Sequence, residues 1–160
     1  MHVIGYECKT ELVTQSIFDA AGGSKALLDL AKAWHARCLA DPVVSHAFSQ
    51  EFHADHCERL AAYWGEALGG PSDYSASMGD ESSVIRMHSG MGEHVEMDES
   101  AQACFDLALD DAQLPLDPQL SATLADYFRW ATGTLSMYPD SADDVASGLS
   151  IAKWSWAGPA

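Results

Sequence analysis

Apolar positions in this chain recur at the three- and four-residue spacing of a buried helix face, and almost nowhere alternate as a strand would. After a turn at Gly22-Gly23, with Ser24 placed to cap, Leu27, Leu28, Ala31, Trp34, His35 and Cys38 share one face until Asp41-Pro42 stops the run. A second helix is predicted over about residues 52–68, with His53, His56, Cys57, Leu60, Ala61, Trp64 and Leu68 as its stripe, and Gly69-Gly70-Pro71 ends it. A third begins at Asp98 or Ser100 and turns Ala101, Cys104, Phe105, Ala108 and Leu109 inward. Asp117-Pro118 opens a fourth, with Leu120, Leu124, Tyr127, Phe128, Ala131 and Leu135 inward, and Pro139 closes it. Residues 1–16 show no period and read as an irregular extension, 72–83 read as polar turns, and 139–160 read as an acidic, then aromatic, tail laid over the domain. The pattern predicts an all-α domain over residues 17–138 between two extensions.

Length and composition fit one globular unit: 160 residues, 48% of them hydrophobic, are enough for a full core. No stretch approaches the roughly 20 apolar residues of a membrane span, and the N-terminus carries neither a basic region nor an apolar run. Cys8, Cys38, Cys57 and Cys104 lie far apart without a Cys-x-x-Cys pair, so reduced thiols in a cytoplasm are expected. The formal charge of −16 repels nucleic acid and anionic bilayers alike. Both are set aside as partners.

The candidate chemistry lies in the histidines, of which there are seven. His2, His46, His53 and His94 read as surface or hydrogen-bonded side chains. His35 and His56 face inward on their helices and fit either a core or a pocket wall. His88 follows the apolar pair Val84-Ile85 and precedes Ser-Gly-Met-Gly in "RMHSGMGEHVEM", residues 86–97. The glycines let the chain pass close to a flat object.

These residues resemble the bacterial truncated haemoglobins, the second group in particular, in which a histidine followed by x-Gly-x-Gly leads into the next long helix. "FDAAGGSKAL" at 18–27 resembles the opening Gly-Gly motif of that family, "HARCLADPVVSHAFS" at 35–49 the end of its second helix, and "ALGGPSDY" at 67–74 the close of its distal helix. The terminal Lys-Trp-Ser-Trp is similar to tails on some members. The resemblance covers roughly residues 17–138. It implies a two-over-two helical sandwich around haem b, with His88 as the proximal iron ligand and Phe48, Leu60, Tyr63, Trp64, Tyr74, Arg86, Met87, Met91, Val95 and Trp130 about the cofactor. On the distal side it implies His35, His56, Leu60 and Ala101, with His56 a candidate sixth ligand. His35 stands where the family usually has tyrosine, and Ala101 where the second group generally has tryptophan.

Arg86 suits a haem propionate, and Met87, Met91, Val95 and Met97 suit adaptable packing against a macrocycle. His94 is too near His88 in sequence to reach the opposite face of a flat cofactor easily, and is expected to be exposed. The function so implied is reversible binding of oxygen, nitric oxide, carbon monoxide or a similar small ligand, as an oxygen carrier. Alternatives are a peroxidase or nitric oxide dioxygenase, a haem-free helical sensor or partner-binding domain, and a non-haem metal site built from His53, His56 and acidic neighbours. Turnover would need a separate reductase, because no Gly-x-Gly-x-x-Gly fingerprint is present. A homodimer is a further candidate arrangement.

Overall fold

The computed structural model describes residues 15–48, 53–92, 94–114, 117–135 and 139–160. Residues 1–14 of the irregular extension, with His2 and Cys8, lie outside the described residues.

The chain opens with a helix too short to show a period in sequence, α1 (Ile17–Ala21), capped by Ser16 Oγ, which accepts from Asp19 N at 3.0 Å. Gly22, at φ 111°, both ends α1 and starts α2 (Gly23–Ala40), so the capping serine is Ser16 rather than Ser24. At the far end of α2, Asp41 Oδ1 accepts from the Val43 and Val44 amides at 2.8 and 2.9 Å and leads the chain into a 3-10 turn, Val44–Phe48. Next comes α3 (His56–Ala67).

The stretch expected to be turns holds a helix and the start of another. These are α4 (Asp73–Ser77) and α5 (Glu81–His88), the latter opened by a reciprocal capping box between Asp80 and Ser83. Polar composition concealed them because caps and short amphipathic turns use the same serines and aspartates as loops do. Then α6 (Val95–Asp111) begins three residues before Asp98, and α7 (Pro118–Leu135) starts where expected, with Leu120 N donating to Asp117 Oδ1 at 2.8 Å. A small antiparallel hairpin, β1 (Trp154–Ser155) and β2 (Gly158–Pro159), lies in the tail.

Helix α2 packs against α3 and α6, and α6 packs against α7. Trp34 is the hub between them: its ring lies 5.9 Å from Trp64, 5.6 Å from Phe128 and 6.1 Å from Phe48, all edge-on. Phe105 and Phe128 stack at 4.2 Å beside it. The indole Nε1 of Trp34 donates to the Ala101 carbonyl at 3.1 Å, which ties α2 to α6. Leu27, Leu30, Ala108, Leu120 and Leu124 complete the apolar layer, each large side chain contributing about 1.5–3 kcal/mol by leaving water.

The tail does lie over the domain. Ile151 is buried, Trp154 packs 5.3 Å from Trp130 and 6.1 Å from Tyr127, and Trp156 Nε1 donates to Gln15 O at 2.7 Å. Lys153 Nζ reaches the Glu66 carbonyl at 3.1 Å and its carboxylate at 3.5 Å. Among the described residues no helix is long and apolar enough to cross a membrane.

Candidate functional site

His88 ends α5, one turn after the buried Val84. Its Nδ1 lies 2.8 Å from the Val84 carbonyl oxygen. A carbonyl only accepts, so Nδ1 carries the proton and the neutral ring keeps its lone pair on Nε2. Burial pushes the His88 pKa down; the Val84 bond opposes that, His94 lowers it further and Asp98 raises it. The ring is therefore held in the neutral form near physiological pH, with one nitrogen oriented by the backbone and the other of the right chemistry to bind a metal.

His94 differs from expectation. It is not exposed: its side chain and that of Asp98 are each 19% accessible, and Nδ1 meets Asp98 Oδ1 at 2.9 Å. Helix α6 starts early enough to put Asp98 one turn beyond His94, a geometry hidden when the helix is begun at Asp98 itself. Around His88, the expected packing residues Met87, Met91 and Val95 are 64%, 59% and 62% exposed. Nη2 of Arg86, the expected propionate partner, donates to the tail, to Val145 O at 3.2 Å and Ser147 Oγ at 3.0 Å.

A second group forms where α2, the 3-10 turn and α3 meet. His35 lies 4.9 Å from Phe48 and 5.0 Å from His56 between ring centres, and Phe48 lies 5.6 Å from His56. Burial lowers the pKa of His35; burial, then the neighbouring His35, lowers that of His56. Both rings are neutral at pH 7, so each offers one N–H donor and one lone pair. Leu60 follows His56 by one turn of α3 and is half-buried.

The remaining expected residues divide between these clusters and the core. Tyr63 packs against Tyr74 at 5.4 Å and donates its hydroxyl to the Glu81 carboxylate at 2.9 and 3.1 Å, while burial pushes its pKa up. Burial also raises the Glu81 pKa, against the Tyr63 bond. Trp64 belongs to the central aromatic layer, Trp130 to the tail contact, and Ala101 is buried with its carbonyl bonded to Trp34. Sequence reasoning missed Glu81 and Glu66. Glu81 lies inside a capping box, Asp80-x-x-Ser83, that was available as a signal; nothing local marks Glu66 as buried. Among the described residues no group of three or more His, Cys, Asp or Glu side chains could hold a bare metal ion. His53 meets Asp55 at the surface.

Known proteins share this fold. The model of the bacterial-like globin family matches residues 16–130. The chain is similar in structure to the group II truncated haemoglobin of Bacillus anthracis, with a TM-score of 0.68 and 17% identity over 79% of this chain and 94% of that one. It is also similar to the thermostable haemoglobin of the actinobacterium Thermobifida fusca, with a TM-score of 0.64 and 25% identity over 76% and 97%. The haemoglobin of the thermophilic phototroph Chloroflexus aurantiacus gives a TM-score of 0.65 and 22% identity over 76% and 98%. A search of curated proteins returned no match.

Proposed function

The chain belongs to the bacterial-like globin family, all-α with the truncated haemoglobin fold, and from that premise we propose that it holds haem b through His88 Nε2 and reversibly binds oxygen or a similar diatomic ligand. The observation that carries this reading is the Nδ1 contact of His88 with the Val84 carbonyl at 2.8 Å. A metal-ligating histidine needs its other ring nitrogen held in this way, because the bond fixes both tautomer and ring direction. Held there by His88, haem would supply an iron able to take up a small diatomic ligand.

The protein's own contribution on the ligand side comes from His35, His56 and Phe48. Phe48 keeps the site apolar, and an N–H from His56 or His35 stabilises partial negative charge on a diatomic ligand by about 1–3 kcal/mol, roughly one to two decades in affinity. The same neutral imidazole pair favours a second reading, a haem enzyme of the peroxidase or nitric oxide dioxygenase kind, in which one ring takes up a proton. A chain of formal charge −16 would then meet its reductase through a basic patch. In both readings the domain spans residues 17–138, and the reduced thiols fit a cytoplasmic protein.

An absorption spectrum of protein purified with ample haem supply tests the proposal. The expected result is a Soret band that shifts on adding carbon monoxide. Absence of the band overturns the haem reading in favour of a haem-free sensor. Rapid consumption of peroxide, or of nitric oxide with oxygen and a reductant, would favour the enzyme.

A further inference from the structure

Helix α5 has little of the core to hold it. Of its residues only Ser82 and Val84 are buried, and beside Ile85 a cavity of about 200 Å³ separates it from Leu135 of α7 and from Val145 and Leu149 of the tail. Hydrogen bonds from residues 139–149 take the place of that packing. In the first turn, Glu81 N donates to Leu149 O at 3.1 Å, and Leu149 N donates to the fully buried Ser82 Oγ at 2.9 Å. In the last turn, Arg86 Nη2 holds Val145 O and Ser147 Oγ. Just beyond it, Gly90 N donates to Pro139 O at 3.2 Å. Gly90 sits at φ +79°, where a β-carbon would lie 3.2 Å from the Asp140 carbonyl oxygen, so the glycine admits this close approach of the strap.

We infer that the strap 139–149, acting through Arg86, sets the direction of the His88 imidazole, so that Arg86 is a positioning residue for the axial ligand. The inference rests on the reading of His88 as that ligand. The Val84 carbonyl that orients His88 belongs to the same last turn that Arg86 fastens, and helix ends are the first parts of a helix to open. Releasing Arg86 frees that turn to fray, and with it the carbonyl that fixes Nδ1. Both Arg86 bonds have a charged donor, which strengthens each over a neutral one.

The experiment compares the parent chain with Arg86→Ala, Arg86→Lys and Ser147→Ala. In the haem-free chains, ¹⁵N spectra of the His88 ring report tautomer, and amide exchange over 84–88 reports opening. In the haem-loaded ferrous chains, the iron–histidine stretching band reports the axial bond. Arg86→Ala is expected to move the ring nitrogens toward tautomer-averaged shifts, speed exchange about tenfold while α7 amides stay unchanged, and displace and broaden the stretching band. Arg86→Lys should restore part of each, since an ammonium still donates to Val145 O. Ser147→Ala, the milder change should Arg86→Ala fail to fold, is expected to shift the same readouts in the same direction by less. Parental ring shifts and exchange in Arg86→Ala, or in Ser147→Ala if only that folds, would overturn the inference. A parent that takes up no haem would instead overturn the proposed function, and the haem-free measurements would still decide whether the strap orients His88.

Discussion

The Nδ1 atom of His88 lies 2.8 Å from the carbonyl oxygen of Val84, one turn earlier in the same helix. On the proposed reading His88, rather than His94, holds the iron. His88 has Nδ1 held by backbone, whereas His94 has Nδ1 held by Asp98, a carboxylate at 2.9 Å. His88→Gly should lose most of the haem, or keep it weakly in a form that added imidazole restores. His94→Gly should retain haem close to the parental amount. Haem content and ferrous spectra of the two variants, prepared side by side with equal haem supply, check this, and the reverse pattern would assign the iron to His94.

Oxygen dissociation tests the second cluster. His35 and His56 rings are 5.0 Å apart and both border Phe48, which on the proposed reading puts both beside a bound ligand. His56→Ala and His35→Ala should each speed dissociation by roughly ten- to a hundredfold, as loss of one hydrogen bond to a partly charged ligand implies. The larger effect is expected from His56, one turn before Leu60 on α3. Stopped-flow dissociation rates unchanged in both variants would take the two histidines out of the ligand's reach.

Much of this was legible in sequence because long periodic helices and their caps are local signals. The stripes of α2, α6 and α7, that of α3 from His56 onward, and the Asp117-Pro118 start follow from spacing alone, whereas His53 of the expected α3 stripe lies before the helix and exposed. What escaped was short or non-local. Helices α1 and α4, five residues each, cannot show a period. The partners of Arg86 are about 60 positions away in the tail, and those of Glu66 lie on α4 and at Lys153. Charge and composition name the groups that need partners but not which distant groups supply them.

Trp34 provides a stability test of the aromatic layer, read on the haem-free chain. Its indole meets Trp64, Phe128 and Phe48 and bonds to the Ala101 carbonyl. Trp34→Ala should destabilise the chain by about 3 kcal/mol, the low end for such truncations because the ring is only half-buried. Trp34→Phe should cost about 1–2 kcal/mol, chiefly the lost hydrogen bond. Urea unfolding of the haem-free chains gives both values, and equal midpoints for parent and Trp34→Ala would remove Trp34 as the hub.

Glu66 is the buried carboxylate that joins three elements. Burial alone would raise its pKa, but the Ser75 hydroxyl at 2.7 Å, the Ser75 amide at 2.9 Å and Lys153 outweigh that and leave it lowered. Glu66→Ala removes both Ser75 bonds and the Lys153 ion pair but keeps the Lys153 bond to the backbone carbonyl, and should cost about 2–3 kcal/mol at pH 7, read from urea unfolding.

The same carboxylate and the half-buried His35, His56 and His88 bear on how stability depends on pH. The pKa values of His35, His56 and His88 are lowered by burial, so each folded value lies below the unfolded one of about 6.5. As pH falls below about 6.5 the unfolded chain takes up protons that the folded chain refuses, and each histidine removes up to about 1.4 kcal/mol per pH unit until its folded pKa is passed. Glu66 has the same sign at lower pH: its contribution is present above about 4.5 and is lost as pH falls through its lowered folded value. Glu81, whose pKa burial raises, has the opposite sign and regains stability as pH falls through its folded value. Three histidines against one carboxylate give a net fall between pH 7 and pH 5. Urea midpoints of the haem-free chain should therefore drop over that interval, and drop less in a His35→Gln, His56→Gln double variant. Glu81→Gln should steepen the fall by removing the opposing group. A midpoint flat or rising from pH 7 to pH 5 would mean that these imidazoles are not held neutral in the fold.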